Sequence, residues 1–252
     1  MDNEYILNTA LKQSAFELSC EVDDLLKSES CVFVSKPSTN ARKYLKLPFG
    51  FNMVSYGSNN VVACSSELFD FSVEFVKRAD IYRCYEPELL YDLNDELEKY
   101  GMRIKHMADF YLPDVAKLNE ALNVNTCDFK LKILGQMDFS ELYKPEWSNA
   151  LCEARKELDL LGVGAYDGER LIGLAGCSAD CEDMRQIGID VLPEYRKMGV
   201  AKTLVTKLAA EIIENGNVPF YCAAWSNVKS RRTAVSSGFV PGWVEMTAKN
   251  ID

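Results

Sequence analysis

Between Leu161 and Ala224 the hydrophobic pattern switches from period two to the spacing of a helix and back again, which commits this part of the chain to a mixed α/β (α+β) fold. LGVGAY (161–166) and ERLIGLAGCSA (169–179) read as two strands around Asp167-Gly168, a pair suited to the positive φ of a tight hairpin turn. A third strand, MRQIGIDV (184–191), sets Ile187, Ile189 and Val191 on one face and Gln186, Gly188 and Asp190 on the other, and Pro193 ends it. From about Gly199 to Asn215 the residues Val200, Leu204, Leu208 and Ile212 recur every fourth position, with Gly216 as the stop. Val218 to Ala224 returns to strand, Val228 to Ser237 is a short helix closed by Gly238, and a last strand lies near Trp243 to Thr247.

Upstream, CDFKLKIL (127–134) reads as a strand and Ser148 to Glu157 as an amphipathic helix capped by Ser148 or Asn149. Nearer the start, MVSYG (53–57) and VVACS (61–65) flank Ser58-Asn59-Asn60 as a hairpin. Leu68, Phe71, Phe75 and Val76 form one helical stripe, and Leu89, Leu90, Leu93 and Leu97 a second that ends at Tyr100-Gly101. His106, in the strand-like RIKHMADFYLP, lacks a carboxylate pair or a cysteine at metal spacing and reads as structural. The 252 residues suffice for two domains. Residues 1–150 hold four of the 14 glycines and a charge of −8, the remaining 102 ten glycines and −2, so the halves differ in kind. The expectation is a smaller α/β domain over 1–125, of unassigned role, and a second domain over 126–252.

Composition removes several classes of function. A net charge of −10 has the wrong sign for a broad nucleic-acid face or an anionic membrane surface. The longest apolar runs fall far below the ~18 residues that span a bilayer, so the expectation is a soluble protein. The opening MDNEYILNTALKQSAFELSC carries neither a basic leader nor an apolar signal core, and nine cysteines at irregular spacing read as reduced thiols; both point to the cytoplasm. Cys177 and Cys181 have the C-x-x-x-C spacing but no second pair and no nearby histidine, so no metal is expected and both read as packing residues.

The most specific local feature follows the strand at 184–191. A short loop with Arg196 and Gly199 opens directly into a helix, aiming unpaired N–H groups and the positive end of the helix dipole at one point, a ready site for phosphate. Gly199 allows close approach, Ala201 keeps the first turn open, and Arg196, Lys197 and Lys202 add positive charge. From Arg196 to Arg232 seven basic residues face two acidic ones. Alone, R-x-x-G-x-A would describe an ordinary turn.

Two blocks together carry a resemblance. Arg196-Lys-Met-Gly199-Val-Ala201, with its lead-in Val191, Pro193 and Tyr195, resembles the pyrophosphate signature Q/R-x-x-G-x-G/A of the Gcn5-related N-acetyltransferase (GNAT) superfamily. Asn227 to Gly238-Phe239 is similar to that family's later helix segment. The resemblance covers roughly residues 126–252 and extends to a bacterial group of acetyltransferases with an additional N-terminal domain. It implies a mixed sheet splayed open between the strands at 184–191 and 218–224, flanked by helices, with acetyl-CoA as acyl donor lying in the splay. Its pantetheine amides would pair with backbone near Ile189 and Val191, its pyrophosphate with residues 197–202 (Lys197, Met198, Gly199, Val200, Ala201, Lys202) beside Arg196, and Asn227 would meet the pantetheine or acyl end.

The same resemblance exposes departures. Many members place an acid tyrosine seven residues beyond the junction asparagine, and here that residue is Ala234; the leaving thiolate is left to Ser226, Tyr221 or water. The strand before the loop lacks the glutamate some members use as base, so Glu182 and Asp183 in the preceding turn are the nearest candidates. The expected function is transfer of acetyl from acetyl-CoA to a primary amine of a small molecule, the N-terminal domain helping to enclose it. The alternative is a catalytically silent acyl-CoA-binding regulatory or scaffold protein. Oligomeric state is not legible.

Overall fold

A computed structural model describes residues 1–124 and 127–251, so the boundary expected between 125 and 126 lies outside the described residues. In chain order the elements are α1 (Asn3–Leu18), β1 (Cys31–Val34), β2 (Phe51–Ser55), β3 (Val61–Cys64), α2 (Phe69–Lys77), α3 (Pro87–Glu98), β4 (Met102–Pro113) and α4 (Val115–Leu122). There follow β5 (Lys130–Gly135), β6 (Asp159–Asp167), β7 (Arg170–Ser178), β8 (Met184–Val191), α5 (Val200–Glu214), β9 (Val218–Ala224), α6 (Val228–Ser236) and β10 (Phe239–Asn250). They form two compact units: Met1–Thr9 with Tyr111–Pro241, and Ala10–Phe110 with Gly242–Asp252.

In the Ala10–Phe110 unit the strands lie in the order β1-β3-β2-β10-β4. The expected hairpin is present as antiparallel β2 and β3, Phe51 opposite Cys64 and Val54 opposite Val61. Its connecting turn is anchored by the buried Asn59, whose amide donates to the Asp24 and Glu29 carbonyls. Apolar residues of α2 and α3 pack on these strands around Phe51, Met53, Phe75, Leu93 and Met246. Arg42 is buried and donates to the carboxylates of Glu17 and Glu245, so the guanidinium is not left unpaired away from water. His106 lies midway along β4.

In the other unit the order is β9-β8-β7-β6-β5, antiparallel throughout except for the parallel pair β8 and β9. The two faces are covered in different ways. On one, α5 packs Val200, Leu204, Leu208 and Ile212 against Val163, Ile187 and Tyr221, and Gly173 on β7 lets Val200 and Leu204 approach. On the other, Gly162, Gly176 and Gly188 stand in register across β6, β7 and β8, a row without side chains; the backbone of Asn149 and Ala150 rests directly on Gly176 and Gly188, and the Phe139 ring lies against Gly162.

That row explains a difference from the sequence reading. Residues 148–157 are not the expected α-helix: a 3₁₀ turn at Pro145–Trp147 and another at Glu153–Leu158 flank a non-helical stretch. The N–H groups of Asn149 and Ala150 donate to the Asp190 carboxylate and that of Cys152 to Asp159, acceptors across the sheet that replace helix carbonyls. Two boundaries also move. The strand expected from 127 begins at Lys130, and the β6–β7 turn centres on Gly168-Glu169, Gly168 at φ +60°, because Asp167 already pairs with Arg170.

Candidate functional site

Strands β8 and β9 pair only from Met184–Val218 to Ile187–Tyr221. Beyond that rung β8 runs on through Gly188 to Val191 and β9 through Cys222 to Ala224, so two parallel strands diverge and the β9-facing edge of β8 is open. The opposite edge of β8 stays bonded to β7 as far as Val191–Gly173, which holds the open edge straight. An extended ligand with amide groups could continue the ladder there, as an added strand does.

The open edge leads to the loop. A short 3₁₀ turn, Pro193–Tyr195, is fixed to the β6–β7 hairpin: the Tyr195 hydroxyl donates to Asp167 at 2.9 Å and Arg170 bridges to Glu194 at 2.7 Å. Arg196 donates from Nε to the Val191 carbonyl. Lys197 and Gly199 both take positive φ, +65° and +79°, turning the chain so that Gly199 becomes the N-cap of α5. Glycine supplies no capping side chain, and the first regular backbone bond, Thr203 N–H to the Gly199 carbonyl, leaves the preceding amides of α5 pointing outward. The structure thus gathers Ile189, Val191, Arg196, Lys197, Met198, Gly199, Val200, Ala201 and Lys202 along one strand end and one helix start.

The other wall is built by β9 and α6. Asn227 caps α6, its side-chain oxygen accepting from Ser230 N–H at 3.2 Å. Arg231 reaches back to the Trp225 carbonyl and the Tyr111 hydroxyl, fixing the turn that carries Ser226 and Asn227, both exposed. Tyr221, buried beside Phe239, shares a 2.8 Å hydrogen bond with the Ser230 hydroxyl. Burial, eased by that bond, pushes the Tyr221 hydroxyl above its ordinary pKa, and the charge of Asp190 adds to the rise. Ala234, one turn further along α6, is fully buried.

Glu182 and Asp183 are not brought to this place. They precede β8, and at about 3.3 Å per residue Asp183 stands roughly 20 Å from Ile189. Exposed in the turn, they serve the turn itself: the Asp183 carbonyl accepts from Val218 N–H and the Glu182 carbonyl from Arg185. Cys177 lies in the core with its thiol pushed up to about 12 by burial, which leaves it protonated and inert. Among the described residues no group of three or more His, Cys, Asp or Glu is placed to hold a metal, and no helix is long and apolar enough to cross a membrane. Two side chains near the divergence have partners that sequence spacing alone does not reveal. Asp190 holds the 149–150 backbone, and the Tyr221 hydroxyl is tied to Ser230 on α6.

Residues 130–239 match the family described as Acetyltransferase (GNAT) family. Solved structures similar to the chain include a GCN5-related N-acetyltransferase-like protein from Streptococcus suis, with 17% identity, TM-score 0.47, and 64% of this chain and 67% of that one covered. A GCN5-related N-acetyltransferase from Kribbella flavida follows, with 13% identity, TM-score 0.49, and 66% and 65% covered. An acetyltransferase from the GNAT family of Colwellia psychrerythraea gives 16%, 0.43, and 58% and 57%. No curated protein sequence matches the chain.

Proposed function

Since residues 130–239 are a domain of the acetyltransferase (GNAT) family, which makes the chain a GNAT-type acyltransferase, we propose that it carries acetyl from acetyl-CoA to a primary amine of a small molecule. One observation carries the reading of the site: the diverging edge of β8 leads, through the short loop of residues 192–199, to a glycine-capped helix start. In this reading the pantetheine amides extend the β8 ladder at Ile189 and Val191. The pyrophosphate takes the amides from Lys197 to Lys202, where the helix dipole and the side chains of Arg196, Lys197 and Lys202 favour anions, and Asn227 flanks the acyl end.

Transfer then needs three things of the chain. The thioester must be presented to the amine, the carbonyl oxygen needs a donor as charge builds on it, and the departing sulfur needs a proton. A backbone N–H of β8 near Ile189 is the donor in this proposal, because an edge amide is fixed before the reaction begins. Glu182 and Asp183 are too remote to serve as base, which leaves the amine's proton to solvent at the cleft. The nine cysteines are all free thiols, which supports a reducing, cytoplasmic setting.

A second reading is kept by Ala234, whose buried methyl cannot donate a proton: an acyl-CoA-binding protein without turnover. Calorimetry and turnover separate the two. Acetyl-CoA is expected to bind the full chain, and Gly199→Trp, which fills the helix start, to weaken that binding at least a hundredfold. Free-thiol release with a panel of primary amines is expected for at least one amine. Binding insensitive to Gly199→Trp would refute the cleft, and binding without release from any amine would leave the silent reading standing.

A further inference from the structure

Between the end of β8 at Val191 and the start of α5 at Val200, the loop holds a shape that its own backbone does not favour. Lys197 takes a φ of +65° two residues before Gly199 takes +79°, and a residue with a side chain stays in that region only where its surroundings hold it there. The loop's own backbone bonds stop just upstream, with Tyr195 N–H to the Leu192 carbonyl and Arg196 N–H to that of Pro193. Among the described residues the N–H groups of Lys197, Met198 and Gly199 have no backbone acceptor, so the turn is held through residues 193–196.

The tip of the β6–β7 hairpin supplies the hold. Asp167 and Arg170 face each other on its last rung, and each takes one of two successive loop residues. The Tyr195 hydroxyl donates to the Asp167 carboxylate at 2.9 Å, and the Arg170 guanidinium donates to Glu194 at 2.7 Å. The Tyr195 ring also has the Arg170 guanidinium 5.7 Å from its centroid and meets the Phe129 ring edge-on at 5.6 Å. Two ties on adjacent residues fix the direction in which the chain leaves Arg196 as well as its position. We propose that Asp167 and Arg170 are positioning residues for the cofactor, holding Tyr195 and Glu194 so that the amides from Lys197 to Gly199 stay aimed at the pyrophosphate of acetyl-CoA; this rests on the acetyl-transfer reading above. Neither residue touches the cofactor in this assignment. Two of the four groups in the clamp, Asp167 and Glu194, are carboxylates, whose charge by itself opposes an anion at the loop.

Calorimetry of acetyl-CoA with the full chain exploits that opposition. Asp167→Ala and Glu194→Ala each remove a negative charge, so charge alone would tighten binding, whereas loss of the clamp weakens it. Each variant is expected to raise the acetyl-CoA Kd about fivefold, the scale of one exposed charge-assisted contact. Asp167→Asn, which keeps an acceptor for Tyr195 without the charge, should stay within about twofold of wild type. With an amine found by thiol release as acceptor, kcat at saturating acetyl-CoA should hold within about twofold in all three, while the KM for acetyl-CoA rises in the two alanine variants. Turnover of S-acetylpantetheine, a thioester without the pyrophosphate, should match wild type. Unchanged or tighter acetyl-CoA binding by either alanine variant overturns the assignment, as does an Asp167→Asn that binds as weakly as Asp167→Ala. A kcat or an acetylpantetheine turnover that falls along with acetyl-CoA affinity also overturns it, since a general loss of structure would lower all of them. Wild type that binds no acetyl-CoA would instead bring down the acetyl-transfer reading, and the inference with it.

Discussion

A methyl group on Gly188 would sit 1.8 Å from the Asn149 carbonyl oxygen, and one on Gly176 2.2 Å from that of Ala150. Both opposing atoms are backbone, so neither yields by a rotamer change. The 149–150 stretch is further held by the Asp190 carboxylate, which accepts from Asn149 N, Asn149 Nδ2 and Ala150 N at 2.8, 2.6 and 3.0 Å. Gly188→Ala must therefore move the segment or distort β8, and overpacking of this kind costs about 1–3 kcal/mol or more. Gly135, by contrast, has its nearest neighbour at 3.9 Å and an ordinary negative φ. The expected result in thermal denaturation is a drop of several degrees or more for Gly188→Ala and little change for Gly135→Ala. Equal melting temperatures would show that the segment does not rest on the glycine row. No single-sequence pattern marks this contact, because Gly188 reads as one polar-face position of a strand until its neighbour from 39 residues earlier is in place.

At the scale of elements, the open stretch of β8 and the first turn of α5 share one physical state: backbone groups without regular secondary-structure partners. Such amides exchange with solvent readily, and a ligand that binds them slows the exchange. Peptides covering 188–192 and 197–203 are therefore expected to gain protection on addition of acetyl-CoA, whereas β5 and β6, which do not border the divergence, should exchange as before. Protection confined to other elements would place the cofactor elsewhere. These elements were also the most legible in the sequence. The bounds of β8 and β9 match the sequence reading, and those of α5 and α6 differ at their ends only, because alternation, i+4 spacing and terminal glycines are local signals. The stretch from 148 to 157 departs from its pattern for the converse reason. Its apolar spacing suits a helix, yet Asp190 and Asp159 capture the N–H groups a helix would need. The 196–202 loop is legible as a local pattern and Ile189 and Val191 enter only through the family resemblance, whereas the contact of Asp190 depends on a residue 41 positions away and that of Tyr221 on the helix across the turn.

At the scale of the molecule, the acidity counted along the sequence distributes differently in space. Read linearly, most of it falls in the first 150 residues; gathered by compact unit, each unit carries −5. The unit that contains the cleft holds 15 basic and 20 acidic residues, and the stretch from Arg196 to Arg232 takes seven of the basic and two of the acidic. Eight basic residues then face eighteen acidic ones over its remainder, including the exposed Asp138, Glu141, Glu146, Glu153 and Glu157 of the segment laid over the glycine face. A surface polarised in this way attracts a polyphosphate at one place and cations elsewhere, and both attractions weaken as salt shortens the screening length from about 10 Å at 0.1 M toward 3 Å at 1 M. If the acceptor is a cationic amine, raising ionic strength from 0.05 to 0.5 M should increase its KM severalfold. A zwitterionic amino acid used as acceptor should show a much smaller change, since its carboxylate cancels the steering, and kcat at saturation should stay nearly constant for both. The Kd of acetyl-CoA, measured separately, should rise over the same range through its phosphates, which keeps the two effects distinguishable. An acceptor KM that is flat with salt while the acetyl-CoA Kd rises would mean that the acidic surface plays no part in choosing the amine.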